Sequence, residues 1–208
     1  YRSGEAQKHA WFPTTANGSL HHVLASGAST EIMAVGNDGV VGIAVFMGGD
    51  STPSLATVTI AGYGFQVDSN ILKQEFQRGG PLQRVLLSYT LALMAQLTQT
   101  AACHRHHSIS QQLCGWLLTA LDRTTCRELV VTHELIANML GVRREGVSGA
   151  AGDMQRAGLI SYRRGHISVL NRAGLEKQAC ECYGAVRKET LRLQEEGQRF
   201  VTIQHLRH

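Results

Sequence analysis

The sequence predicts an α+β protein with its strands gathered at the N-terminal end and its helices after them. Three observations carry that expectation. Residues 1–67 break into short alternating segments separated by Gly, Asn, Asp and Ser turns. A long, nearly all-round apolar run begins at Pro81. Residues 132–170 then read as helix, glycine turn, helix and two short strands.

In the first region the alternating segments fall at 18–24, 31–35, 56–60 and 64–67, and residues 69–76 follow as a short helix capped by Ser69 or Asn70. Pro81 sits where proline is tolerated, in the first turn of the next helix. From Leu82 to Ala102 that helix carries Val85, Leu86, Leu87, Tyr89, Leu91, Leu93, Met94 and Leu97, so it needs cover on two sides. One side is expected to pack on the β region. The other is expected to meet its twin in a symmetric homodimer, along a seam through Leu82, Leu86, Tyr89, Leu93 and Gln96. A further amphipathic helix spans 108–121.

Residues 132–170 are the most informative stretch. Thr132 is placed to cap a helix whose apolar face is Leu135, Ile136, Met139 and Leu140. Gly141 follows where a left-handed helix end is cheapest. The next helix buries Val147, Ala150, Ala151 and Met154 and turns Arg144, Glu145, Ser148 and Gly149 outward. Gly146, Gly149 and Gly152 recur at threes, on the stripe expected to face away from the core. Residues 159–162 and 167–170 alternate as strands, joined by Arg163-Arg164-Gly165-His166. An arginine at the start of such a second helix can bond guanine bidentately, and a glutamate can accept from cytosine; the basic hairpin suits phosphate. Thr132, His133, Arg143, Arg144, Glu145, Ser148, Arg163, Arg164 and His166 are the candidate contacts to double-stranded DNA.

On Thr132, Gly141, Arg144-Glu145, Val147 and Gly158-Leu159-Ile160, this segment resembles the winged helix-turn-helix of the Crp/Fnr family, the cyclic AMP receptor protein and its relatives. The resemblance extends over essentially the whole chain. It implies a cyclic-nucleotide-binding-like β-roll (jelly roll) sensor over 1–80, a dimerisation helix and hinge over 81–107, and a winged helix-turn-helix over 108–208 with a C-terminal helix. It implies base contact by Arg144 and Glu145. Arg143 stands where the family has a small capping residue, and Gly149 where the cyclic AMP receptor protein has a second base-reading arginine, so a different operator is expected. Tyr1 to Glu5 resemble a segment lying after the family's first helix and strand, so a native N-terminal portion is expected to be absent from this numbering.

The resemblance also bears on the sensor. Family members that bind cyclic nucleotides hold the ribose with a glutamate and the phosphate with an arginine. Here Gly42 stands at the glutamate position and Ser54 near the arginine position. A phosphate without a cation is poorly held, so cyclic AMP or cyclic GMP is not the expected ligand. Gly42, Gly48, Gly49, Ser51 and Ser54 remain candidates for a different, unidentified small-molecule effector through backbone groups.

Composition agrees. Residues 1–80 hold 4 Lys/Arg against 6 Asp/Glu, whereas residues 81–208 hold 16 against 10, so positive charge collects where the helix-turn-helix lies. Sixteen of the 20 basic residues are arginine, the cation suited to forked contacts with phosphate and bases. The absence of any long apolar run argues against a membrane span, and five irregularly spaced cysteines suit a reducing cytoplasm. No Walker loop, nucleophile elbow or paired acid motif points to an enzyme.

Cys103-His104-Arg105-His106-His107, with Cys180 and Cys182 as added thiolates, invites a metal reading. Lacking compact structural-zinc spacing, the cluster is read as a polar hinge; no metal or cofactor is expected. After the wing, 172–193 is expected to form one helix and the tail beyond Gly197 to fray. The sequence thus leads to a cytoplasmic, homodimeric transcription regulator that meets DNA and RNA polymerase. The alternative is a small-molecule or metal-sensing protein whose winged helix serves protein contacts.

Overall fold

The computed structural model describes residues 1–27, 29–123 and 128–205, with side chains up to residue 195. Five strands make two small antiparallel sheets in the N-terminal part: β1 (His9–Pro13) pairs with β5 (Gly64–Asp68), and β2 (Asn17–Val23) lies between β3 (Ser29–Val35) and β4 (Ser54–Ile60). Strand β1 is additional to the alternating segments read from the sequence. A bridge from Trp11 to Val41 and a short 3-10 helix, Ile43–Val45, join the sheets. Together these elements form the β-roll expected for this half.

Helix α1 (Ser69–Gln77) is capped one residue earlier than the sequence suggests. The Asp68 carboxylate, rather than Ser69 or Asn70, accepts from the N–H groups of Asn70 and Ile71. Helix α2 (Pro81–His106) starts at the proline and ends at His107, whose extended backbone turns the chain. Ser108 and Gln111 form a reciprocal capping box that starts α3 (Ile109–Asp122).

Leu86 and Leu93 of α2 are buried in the chain's own β cores, with Tyr89 packed beside them. These residues therefore face inward, and the seam read through Leu86, Tyr89 and Leu93 belongs to the intrachain contact. The spacing is heptad-like on two faces of so apolar a helix, and periodicity alone does not choose between them. The open face runs through Leu87, Leu91 and Met94, exposed by 47%, 51% and 61%.

The C-terminal module has one continuous core, centred on Leu113, Leu117, Ile136, Val147, Met154 and Ile167. Helix α4 (His133–Leu140) is capped by Thr132, whose hydroxyl accepts from Leu135 N–H at 3.1 Å, and ends at Gly141 with φ 64°. Helix α5 (Arg144–Arg156) follows after the turn. Strands β7 (Ile160–Arg163) and β8 (His166–Val169) pair as expected, and the sequence missed β6 (Glu128–Val130), a three-residue edge strand on β8. Helix α4 also packs on β3, so the module is docked against the β-roll.

The helix read as continuous over 172–193 is instead two. Helix α6 (Arg172–Gln178) stops at Ala179, whose extended backbone redirects the chain, and α7 (Glu181–His205) runs back along α2. Helical backbone continues past Gly197 to His205; the last part of the predicted frayed tail, 206–208, lies outside the described residues.

Candidate nucleic-acid interface

Local rules aim the second helix of the module. The αL residue Gly141 closes α4 and lets Val142 turn back, its N–H bonding Ala137 O at 3.0 Å. Val147, Ala150, Ala151 and Met154 then bury one side of α5, leaving Arg143, Arg144, Glu145 and Gly149 on the other. Arg143 occupies the cap position without a side-chain cap bond. Its guanidinium is thus not spent on the helix end.

Ser148 is differently placed. Its hydroxyl lies 3.0 Å from Nδ1 of His133, so it ties α5 to the start of α4. His133 stacks on Tyr162 of the wing, ring centroids 4.0 Å apart. Desolvation, and then the nearby Arg144 charge, lower the His133 pKa below its ordinary value, which favours the neutral ring. His133 and Ser148 therefore orient α4, α5 and wing together. Tyr162, the third member of that junction, was not singled out from the sequence because an aromatic in a short strand reads as core.

Arg164 and Gly165 both adopt positive φ, 50° and 83°, between the paired residues Arg163 and His166. Two such residues make the tight hairpin turn whose twist matches its strands. Arg163 and Arg164 are exposed at the tip, and His166 Nδ1 lies 3.3 Å from Glu128 Oε2 across the β6–β8 pair.

The glycines of α5 are not one open stripe. A Cβ at Gly146 would come 2.6 Å from Ile109 Cδ1, so this glycine faces α3 and allows the helices to approach. Around Gly149 the space is open. The expectation that all three face away from the core fails at Gly146, because α3 covers the first turn of α5.

In the β-roll, Gly42 has φ 113°, and a Cβ there would meet Ala10 Cα at 3.2 Å, which gives this glycine a structural reason. Gly48 and Gly49 follow the 3-10 helix, and Ser51 and Ser54 precede and open β4. The chain's first residues lie along this loop: Gly4 N–H bonds Thr52 O at 2.8 Å and Gln7 N–H bonds Asp50 O at 2.7 Å. Lys73 is paired with Asp50 at 2.6 Å.

A cavity of about 140 Å³ lies where the β-roll meets the C-terminal module. Glu31, Gln96, Gln112, Trp116 and Arg123 are among its lining residues. In its wall the break between α6 and α7 brings Cys180 and Cys182, which line the cavity with Cys103, to Cys103 and His107; the Sγ and imidazole nitrogen atoms of the four lie within 4.8 Å of one another. His104 also lines the cavity but is not in that group. Burial raises the Cys103 and Cys182 thiol pKa values above the ordinary range.

A β-roll, a long helix and a winged helix-turn-helix with a basic outward face define the class: a transcription-regulator fold built around a DNA-binding type of module. Residues 111–178 match the Crp-like helix-turn-helix domain, and the chain has the fold of Crp/Fnr-family regulators. Among solved structures it is similar to a CRP-family transcriptional regulator from Thermus thermophilus, at 19% identity over 86% of this chain and 91% of that one, with a TM-score of 0.71. FixK2 from Bradyrhizobium japonicum gives 17% identity, coverage of 86% and 91%, and a TM-score of 0.71. The c-di-GMP-responsive regulator CLP from Xanthomonas campestris gives 15% identity, 81% and 87%, and 0.61. No curated protein sequence matches the chain. Among the described residues, no helix is long and apolar enough to cross a membrane.

Proposed function

We propose that the protein is a sequence-specific DNA-binding transcription regulator acting as a homodimer, with a β-roll that has lost the charges of a cyclic-nucleotide site. The observation that carries this reading is the exposed Arg143-Arg144-Glu145 start of α5, beside a wing whose tip is Arg163-Arg164. In it, Arg144 and Glu145 read base edges, while Arg143, Arg163 and Arg164 hold phosphates. Thr132, exposed at the start of α4, and the exposed wing residue His166 are further phosphate contacts in this reading, and His133 and Ser148 set the helix angle.

The dimer forms through the Leu87, Leu91 and Met94 face of α2, which sets two recognition helices at a fixed spacing. An effector acts by binding one orientation of module and β-roll more tightly than the other. The glycine- and serine-bearing loop around Gly48, Gly49 and Ser51, or the cavity at the joint, supplies the place for it.

Gel shifts on genomic fragments across a salt series test the reading, with retention expected to fall steeply as salt rises. Arg144→Ala is expected to cost about 1–3 kcal/mol and to relax preference at one base position. Arg163→Ala should weaken all sequences about equally and lower the salt slope by about 1. Absence of retention at low salt, or identical effects of the two substitutions, overturns it.

A further inference from the structure

We propose that Cys103, His107, Cys180 and Cys182 form a closed, mononuclear Cys3His site for a tetrahedral divalent metal, with Zn2+ as its first choice. The four ligand atoms come from two places distant in sequence: the last turn of α2 with its cap, and the joint between α6 and α7. Cys103 Sγ and Cys180 Sγ are 3.5 Å apart, and Cys182 Sγ is 3.4 Å from His107 Nδ1. Tetrahedral zinc, with Zn–S near 2.3 Å, needs sulfur atoms about 3.8 Å apart and a nitrogen slightly closer. Small side-chain adjustments take one set to the other. The interatomic spacing suits a single ion rather than an iron–sulfur cluster, whose bridging atoms hold the thiolates further apart.

The surroundings complete the chemistry. His107 Nδ1 faces Cys182, while its other ring nitrogen, Nε2, lies 3.4 Å from Glu181 Oε1. A ligating histidine ordinarily donates its second N–H to a carboxylate in this way, which fixes the tautomer and raises its basicity. Gln99 Nε2 donates to Cys182 Sγ at 3.1 Å, a bond that supports a thiolate. Gln112 Nε2 holds the His107 carbonyl at 2.9 Å. Three thiolates leave the loaded site one negative charge in excess, and the last turn of α2 carries Arg105 between His104 and His106. Cys180 and Cys182 are each 6% exposed, which suits a structural site with no open coordination position. Soft sulfur donors with one imidazole select zinc over magnesium or calcium.

The position gives the ion a consequence. Cys103 and His107 immediately precede the helix-turn-helix module, and Cys180 and Cys182 immediately follow α6. A metal held by all four clamps both ends of the module to α2 and fixes how α5 is presented relative to the long helix. The binding itself does not depend on what the module contacts.

The full chain, reduced and stripped of metal with a chelator, is titrated with Co2+ and then Zn2+. One equivalent of Co2+ is expected to produce the intense visible bands of a tetrahedral thiolate complex with sulfur-to-cobalt charge transfer, displaced by one equivalent of Zn2+. Cys103→Ser and Cys180→Ser should lose those bands while Cys114→Ala keeps them. Glu181→Gln should keep the bands yet weaken Zn2+ binding about tenfold in competition with a chromophoric chelator. Circular dichroism checks the fold of each variant, and Cys182→His, which retains a ligand, should shift the bands rather than abolish them. Weak octahedral-type absorption from the wild-type chain overturns the proposal, as do equal spectra from wild type and Cys103→Ser.

Discussion

Arg123, at the end of α3, and Asp38, in the turn after β3, form a buried ion pair with Nε and Oδ2 2.9 Å apart and side-chain exposures of 8% and 10%. Asp38 also accepts from the Gly36 N–H, and Arg123 Nη2 donates to Gln96 Oε1 of α2. Gly36 permits the approach, since a Cβ there would stand 2.7 Å from Arg123 Cβ. One guanidinium therefore connects the β-roll, the long helix and the C-terminal module.

The pair gives the first prediction. A buried ion pair need not stabilise relative to apolar residues, but removing one partner strands the other charge. Asp38→Ala is expected to cost about 3–5 kcal/mol in urea unfolding. A loss under about 1 kcal/mol, the range of surface pairs, would show that Arg123 finds water in the folded state.

The glycines of α5 give the second. Gly149→Ala meets open space and is expected to stabilise the helix by about 1 kcal/mol. Gly146→Ala must displace Ile109 from 2.6 Å, so part or all of that gain is lost. Urea midpoints of the two variants should differ in that order. If Gly149 keeps the helix backbone close to a DNA groove, Gly149→Ala will also weaken DNA retention while raising stability; unchanged retention means the position merely tolerates glycine.

The contrast between these helices shows what the sequence could convey. Thr132, Gly141 and the apolar spacing of α4 and α5 act through local rules, and the structure has each where those rules put it. The sequence offers Cys180 and Cys182 as added thiolates for Cys103 and His107, but sets that metal reading below a polar hinge. Their meeting with Cys103 and His107 depends on the extended backbone at Ala179, which no proline or glycine announces. Likewise α2 is apolar on several faces, and only the packed β cores decide that Leu86 and Leu93 turn inward. The helix-turn-helix was readable because it is local; the closeness of Cys103, His107, Cys180 and Cys182 and the choice of the open α2 face were not, because they are tertiary.

That open face is the basis of the third prediction. Leu87, Leu91 and Met94 follow one another at four and three residues, the spacing of a helix–helix seam, with their side chains largely in solvent. Leu91→Asp with Met94→Asp is expected to leave the fold intact by circular dichroism and to convert a dimer to a monomer in sedimentation. Leu93→Ala, on the buried face, should instead cost about 2–5 kcal/mol and leave association of the folded chain unchanged. A double aspartate variant that still sediments as a dimer would remove this face from the dimer interface.

The last prediction concerns Glu31, which lines the cavity at the joint. Desolvation raises its pKa above the ordinary 4.5, opposed by a hydrogen bond from Ser19, by the Arg123 charge and by a bond from Trp116. The sign follows from linkage. Between the ordinary value and the raised one, the folded chain keeps a proton that the unfolded chain has released, so stability is full at lower pH and falls as pH rises through the raised value. Glu31→Gln keeps an acceptor for the Ser19 hydroxyl and has no charge to bury. The variant should therefore gain stability over the wild type as pH rises from mildly acidic to neutral, with little difference at the acidic end. Urea unfolding of both proteins at the two conditions measures this directly. A difference that does not change with pH would mean that Ser19, Trp116 and Arg123 together hold Glu31 ionised throughout.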